Sequence, residues 1–264
     1  MCGMKKPLLD VLFASEKRKQ VILQLKDGAK EMEDLLSTLD TTRNALLPQI
    51  RMLEEHYLVS HSQDAYELTI LGKMVADQIV PLIDTVETFD SDIEYWGTHN
   101  IDFLPPDLSG SIAAMKDCDI VSPSVTEMYE IHKSFQRNSK LPTFIYVVTP
   151  FLYPNYQELF SEMLGNGVNL YFIVPQEVLD KIKTSHRADF EEFIKSKYLH
   201  LFMYNRKMDF LFLVVDDFHL LMGLFKQNGD YDNRYLLCSS SNAVNWGRAF
   251  FEYCLKDSTP ITEI

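Results

Sequence analysis

The sequence predicts a two-domain α+β protein, with a helical N-terminal unit ending in a β-hairpin and a following α/β unit. Three observations predict it. The 264 residues exceed one small domain at roughly 100–200 residues each. Residues 1–52 carry nine Lys/Arg against seven Asp/Glu, whereas the whole chain has a net charge of −13, so the N-terminal end is a distinct unit by charge. Beyond Ser91 the apolar residues change from helical spacing to short runs separated by helical stretches. Apolar residues at 46% and aromatics at 12% supply a core, and the ten glycines and eleven prolines form no low-complexity run, which excludes disorder and collagen-like classes. The longest purely apolar runs, such as Phe210 to Val215, are far shorter than the ~20 residues that span a bilayer, and Met1 to Pro7 has no signal-peptide core. A soluble cytoplasmic chain without membrane contact is therefore expected. Cys2, Cys118, Cys238 and Cys254 are scattered without metal or redox spacing and are expected to be reduced thiols.

Leu8, Leu9, Leu12 and Phe13 form a stripe after Pro7, and Ser15 is placed to cap a second helix carrying Val21, Ile22 and Leu25 until Asp27-Gly28. A short helix over Glu31 to Leu36, a tight turn at Ser37 to Asp40, and a long helix capped by Asp40 and carrying Leu46, Leu47, Ile50 and Leu53 give a helix-turn-helix. Pro48 inside that helix predicts a kink or an irregular start. Tyr57 to Ser60 and Tyr66 to Leu68 are short β-prone runs around the polar stretch His61 to Asp64, and a hairpin there is a wing. Residues 1–69 thus read as a winged helix-turn-helix. Thr69 caps a helix over Ile70 to Phe89, bent at Pro81, whose apolar face of Met74, Ile79, Leu82, Ile83 and Val86 predicts a linker or dimer seam over 70–90.

In residues 91–264, Ile120-Val121, Thr143 to Val148 and Val168 to Val174 are strand candidates, separated by helices at Val125 to Arg137 and Tyr156 to Leu164. Phe190 to Ile194 reads as helix and Leu199 to Tyr204 as strand. Phe210 to Val215 and His219 to Phe225 form an antiparallel pair around Asp216-Asp217, and a strand at Leu236 to Ser239 precedes a helix over Asn242 to Lys256. A partly parallel sheet covered by helices follows.

The long helix carries the first candidate chemistry. With Leu46, Ile50 and Leu53 inward, Thr41, Asn44, Pro48 and Arg51 point outward and Arg43 lies at the flank. Arg can fork onto guanine and Asn can pair with adenine, while Thr42, Lys17, Arg18, Lys19 and the wing residues His61 and Gln63 are candidates for the backbone and groove of double-stranded DNA.

The runs Ser15-Glu16-Lys17-Arg18-Lys19, Arg43 to Pro48, Leu53-Glu54-Glu55, and Tyr66 to Thr69 with Gly72-Lys73 resemble archaeal winged-helix transcriptional regulators that carry the methanogenesis-regulatory-protein middle domain. His99 to Pro105, Asp119 to Pro123, Gly167 to Leu170 and Ala243 to Gly247 through Glu252-Tyr253 are similar to that middle domain. The resemblance implies a DNA-binding regulator, and by the habit of palindromic-site readers a homodimer. The second domain also resembles one half of a phospholipase D fold, whose phosphodiesterases use H-x-K-x-x-x-x-D. The closest frame here has Asp209, Leu211 and Asp216, so His and Lys are missing and no catalysis by this motif is expected.

No other catalytic group, cofactor or metal is expected: the seven His residues include no H-E-x-x-H and no i, i+4 pair. Tyr153, in the Pro-rich loop after a central strand, is the leading candidate for lining a small-molecule effector site at the carboxyl edge of the sheet. Asp209 and Asp216 are further candidates, suited to cationic or hydroxyl-rich molecules. Two other classes stay open: a phosphodiesterase-like enzyme with an accessory winged helix, and a winged-helix protein-interaction module.

Overall fold

Leu46, Ile50 and Leu53 recur at helical spacing, and all three are fully buried. In the computed structural model, residues 6–124 and 141–264 are described, and the chain divides after Asp84 into two units. The first contains α1 (Leu8–Phe13), α2 (Glu16–Leu25), β1 (Lys30–Glu31), α3 (Met32–Thr38), α4 (Arg43–Glu55), β2 (Val59–Ser62) and β3 (Ala65–Leu68), and α5 (Ile70–Asp90) begins in it. Val21, Ile22 and Leu25 of α2, Met32 and Leu35 of α3, and the α4 triplet share one core with Tyr66 and Leu68. A helix-turn-helix followed by an antiparallel hairpin, in a sheet of order β1-β3-β2, is a winged helix.

One local expectation changes. Asp40 does not cap α4: it takes left-handed φ of 42°, which closes the turn after α3, and α4 starts three residues later behind Thr42. The two-residue β1 was too short to show alternation. α4 runs without interruption through Pro48, and α5 through Pro81.

Thr69 does cap α5, its Oγ1 accepting from Gly72 N at 3.0 Å while donating to the Tyr57 carbonyl at 2.6 Å. This draws the first turn of α5 onto the start of the wing. Only glycine fits at position 72, because a Cβ there would lie 2.0 Å from the Leu58 carbonyl oxygen.

The second unit is built on a sheet of order β11-β7-β6-β5-β8-β9-β10-β4, from β4 (Asp119–Val121), β5 (Phe144–Val148), β6 (Asn169–Pro175), β7 (Leu199–Tyr204), β8 (Phe212–Val215), β9 (Leu220–Gly223), β10 (Tyr235–Cys238) and β11 (Ser258–Ile261). β5, β6 and β7 are parallel, and the flanking pairs are antiparallel. The parallel trio needs crossovers, supplied by α8 (Tyr156–Gly165) and by α9 (Gln176–Ser185) with α10 (Arg187–Lys195). On one face Val148, Ile173, Leu213 and Val215 pack with Trp246, Phe250 and Phe251 of α11 (Ser241–Lys256), together with α6 (Ile93–Thr98) and the short α7 (Pro106–Ser109). On the other face Ile145, Leu170 and Phe172 meet Phe160, Phe190 and Phe193 from the crossover helices. His99 is buried between the Tyr95 carbonyl and the Asp232 carboxylate, with Nδ1 at 2.7 Å and Nε2 at 3.2 Å. The helix expected over Val125 to Arg137 lies outside the described residues.

Two of the four thiols expected to be reduced are oxidised. Cys118 and Cys238 are joined by a disulfide, with Cα atoms 4.3 Å apart. They stand one step beyond the Leu237↔Asp119 pair of β10 and β4, so antiparallel pairing sets them opposite one another. Their separation of 120 positions hides this from sequence spacing. Cys254 is buried and free, and burial pushes its thiol up to about 12.

Two outcomes are expected. Gly72→Ala should destabilise the first unit towards the upper end of the roughly 1–3 kcal/mol typical of over-packing, read by thermal melting, because the clash is with backbone. Alkylation of the chain denatured without reductant should leave Cys118 and Cys238 unlabelled. Replacing both by Ser should then cost about 2–5 kcal/mol of stability in denaturant, since the bridge closes a long loop; full labelling without reductant removes the bridge.

Candidate functional site

The outer face of α4 is built from its own periodicity. Burying Leu46, Ile50 and Leu53 leaves Arg43, Asn44, Pro48 and Arg51 exposed, with Thr42 exposed just before the helix. The acids of α4, Glu54 and Glu55, are confined to its last turn. Thr41 lies beside α2, where Lys17 Nζ donates to its Oγ1 at 2.9 Å.

The other cationic candidates have partners inside the unit. Arg18 is a stitch between helices: it donates to Gln49 Oε1 of α4 at 2.8 Å and to the backbone carbonyls of Val11 and Asp10. Ser15, placed in the sequence as a cap, instead donates to the same Gln49 oxygen at 3.1 Å. Lys19 pairs with Glu16 one turn earlier on α2. Arg43 reaches across to the wing and pairs with Asp64 at 2.9 Å, both side chains about half exposed. His61 pairs with Glu54 and packs its ring on Tyr66 at 5.5 Å. Gln63 sits exposed at the hairpin tip with φ of 59°. An ion pair at one end of α4 and a histidine–carboxylate contact at the other thus tie the wing to the helix.

In the second unit, Tyr153 borders an apolar cavity of about 80 Å³. Its floor is the sheet, through Ile145 and Val147 of β5, Phe172 of β6 and Val214 of β8. Phe160 and Met163 of α8 form the wall, and the 151–153 loop forms the lip. At ~24 cal/mol per Å³, an unfilled space of this size costs on the order of 2 kcal/mol. The polar side chains that border it, Thr149, Tyr153 and Tyr156, all carry hydroxyls. Burial pushes the Tyr153 phenol up, and at Tyr156 burial is reinforced by Asp189, so both remain neutral across physiological pH. Tyr156 donates to Asp189, which leaves His186 Nδ1, 2.9 Å away, as donor to the same phenol oxygen. This tie between α8 and α10 was not legible in the sequence.

Asp209 and Asp216 lie away from this cavity. Asp209 pairs with Lys207. Asp216 is 1% exposed and accepts from the backbone N–H groups of Phe218 and His219, each at 2.6 Å, so its carboxylate holds the β8–β9 turn. Among the described residues, no group of three His, Cys, Asp or Glu side chains is placed to hold a metal ion, and no helix is long and apolar enough to cross a membrane.

Residues 6–87 match the N-terminal domain, and residues 128–257 the middle domain, of the methanogenesis regulatory protein FilR1. The FilR1 of Methanothrix harundinacea (strain 6Ac) is 23% identical over 258 residues, which is 96% of this chain and 58% of that protein. The chain therefore spans less than two thirds of its relative. Among solved structures, TrmBL2, described as an archaeal chromatin protein with a novel mode of DNA binding, is 13% identical with a TM-score of 0.44 over 94% of each chain. Nuc of Salmonella typhimurium, a phospholipase D family member, is 10% identical with a TM-score of 0.39 over 55% of this chain and 99% of its own. The two matched stretches cover the winged helix and most of the sheet-bearing unit, and the chain belongs to the family of the methanogenesis regulatory protein FilR1, of which it carries the N-terminal and middle domains.

Proposed function

We propose that the chain is a non-catalytic, DNA-binding transcriptional regulator. In this reading residues 1–69 bind DNA, 70–90 dimerise, and 91–264 respond to a small molecule. The observation that carries it is the outer face of α4, where Asn44 and Arg51 are exposed and acids are absent until the last turn. An exposed helix with that order of residues suits the major groove, N-terminal end first. The regulatory name of the FilR1 relative supports the same reading. Asp209 and Leu211, standing where a phosphodiesterase would need His and Lys, favour a regulator over an enzyme. Cytoplasmic placement follows from a role on DNA.

The dimer has its own support. At 100° per residue, Leu71, Met74, Gln78 and Leu82 share an arc of roughly 80° on α5. Leu71, Met74 and Leu82 are exposed large hydrophobics, whereas Ala76 and Ile83 on the adjoining arc are buried. The helix thus has one apolar stripe in use and a second one open, and a second copy of α5 fits the open stripe by two-fold symmetry.

Selection of bound sequences from a random DNA pool tests the function, and a pool without enrichment removes it. Asn44→Ala should lose ~1–3 kcal/mol of discrimination at one base position, and Lys17→Ala should weaken binding to all sequences and reduce the salt slope by about 1. Arg18→Ala should instead lower the melting temperature, because its guanidinium stitches helices together. Uniform losses for all three place the reading helix elsewhere. For the dimer, light scattering should find monomers for Met74→Asp and Leu82→Asp with the fold retained, whereas Ile83→Asp should unfold the chain; unchanged mass in the first two moves the seam off α5.

A further inference from the structure

We propose that the cavity beside Tyr153 is a binding site for a short, uncharged aliphatic group; that such a group is the effector rests on the sensing role proposed above. Close-packed interiors leave few voids larger than a water molecule, so a space of about 80 Å³ inside a well-formed sheet-and-helix layer is a feature to be explained. Its surroundings are buried: Ile145, Phe172 and Val214 on the floor and Tyr156 and Phe160 on the wall are each under one-tenth exposed. Water is a poor occupant, because it needs two to four polar partners and this wall offers hydroxyls only at one edge.

The chemistry of the lining selects the ligand. Among the described residues no charged side chain borders the cavity, so an ion entering it would lose hydration without gaining a counter-charge. Thr149 Oγ1 already accepts from Phe151 N at 3.4 Å, and the Tyr156 phenol is engaged by His186 and Asp189. The rest of the lining is apolar side chain, so an alkyl group is held there by contact and not by a hydrogen bond. Dry apolar cavities of about 150 Å³ take benzene, so about half that volume holds an aliphatic group of about three or four heavy atoms. The position adds to this: the loop over residues 149–153 leaves the carboxyl end of β5, the edge at which open α/β sheets take ligands.

The probe is 1-butanol, titrated into the full chain with methyl-labelled Ile, Met and Val, against butyrate and butylammonium. Saturable shifts confined to Ile145, Met163, Val147 and Val214 are expected for butanol, with half-saturation on the order of millimolar. The two charged analogues should bind at least about tenfold more weakly. Val147→Phe fills the cavity from the floor and Leu159→Trp from the helix, and either variant that keeps the wild-type methyl dispersion elsewhere should weaken butanol by about tenfold or more. Shifts spread over surface methyls, butyrate binding as tightly as butanol, or undiminished binding in a folded filled variant would each overturn the proposal. The sensing role fails separately: butanol bound in the cavity with operator affinity unchanged removes that role and leaves the site, whereas operator affinity that answers to another metabolite, with no butanol bound, removes the site and leaves the role.

Discussion

The parallel trio β5, β6 and β7 has to be covered on both faces, and most of the second unit is a consequence of that requirement. Parallel strands need long crossovers, the crossovers are helices, and the helices bury the sheet. The strands show the demand directly, because β5 and β6 bury side chains on both faces, Val148 and Ile173 on one and Ile145 and Phe172 on the other. α11 meets it on one side with Trp246, Phe250 and Phe251, and comes close enough at Gly247 that a Cβ would meet Val215 and Leu220 at 2.8 Å. On the other side the aromatic rings of α8 and α10 interlock over β6. The cavity lies in this second layer, between α8 and the strands.

The first unit answers a different constraint, which is how to present positive charge on a chain with an excess of acid. An ion pair between half-exposed side chains contributes about 0–1 kcal/mol, so the Arg43–Asp64 pair can exchange Asp64 for a phosphate or a base edge at little cost to the fold. Arg18 is a different case, since it serves three acceptors and fixes α2 against α4. The two arginines look alike in sequence. Their separation into an exchangeable group and a structural one comes from where Gln49 and Asp64 lie, 31 and 21 residues further along the chain.

Much of this architecture was legible in the sequence wherever a periodicity was long enough to read. Helical spacing over Val21 to Leu25 and Leu46 to Leu53, β-prone runs around the polar tip of the wing, and the apolar runs of β5 and β6 gave each element its type. What escaped had physical reasons. β11 carries Pro260 and survives because, among the described residues, it is an edge strand paired only with β7, where a missing N–H can face away from its neighbour. α9 follows β6 directly behind Pro175, so no polar break announced it. The disulfide depends on strand order, which local spacing does not contain. On α5, apolar residues at 74, 79, 82, 83 and 86 belong to two stripes, and only the packed core separates Ile79, turned inward, from Met74 and Leu82, turned out. The site was legible in part for the same reason: Tyr153 stood out by its loop, while the alignment of Tyr156, His186 and Asp189 required the fold.

A cavity of this kind sets the scale of any response built on it. A group that half-saturates it on the order of millimolar binds with about 4 kcal/mol, and at about a hundred times that concentration it favours the state that holds it by about 2.7 kcal/mol, a shift of roughly a hundredfold in an equilibrium between two states of the unit. The shift is realised only if the two states differ in whether the cavity is formed, because a ligand that binds both equally moves nothing. The element best placed to differ is the loop over residues 149–153, since it closes the cavity without belonging to strand or helix. α8 is pinned by the Tyr156–Asp189 and Gln157–Asp189 bonds, and β5 by neighbours on both sides. A response would therefore begin at the lip, where Tyr153 stands, and pass to the rest of the sheet only through the strand end that the loop continues.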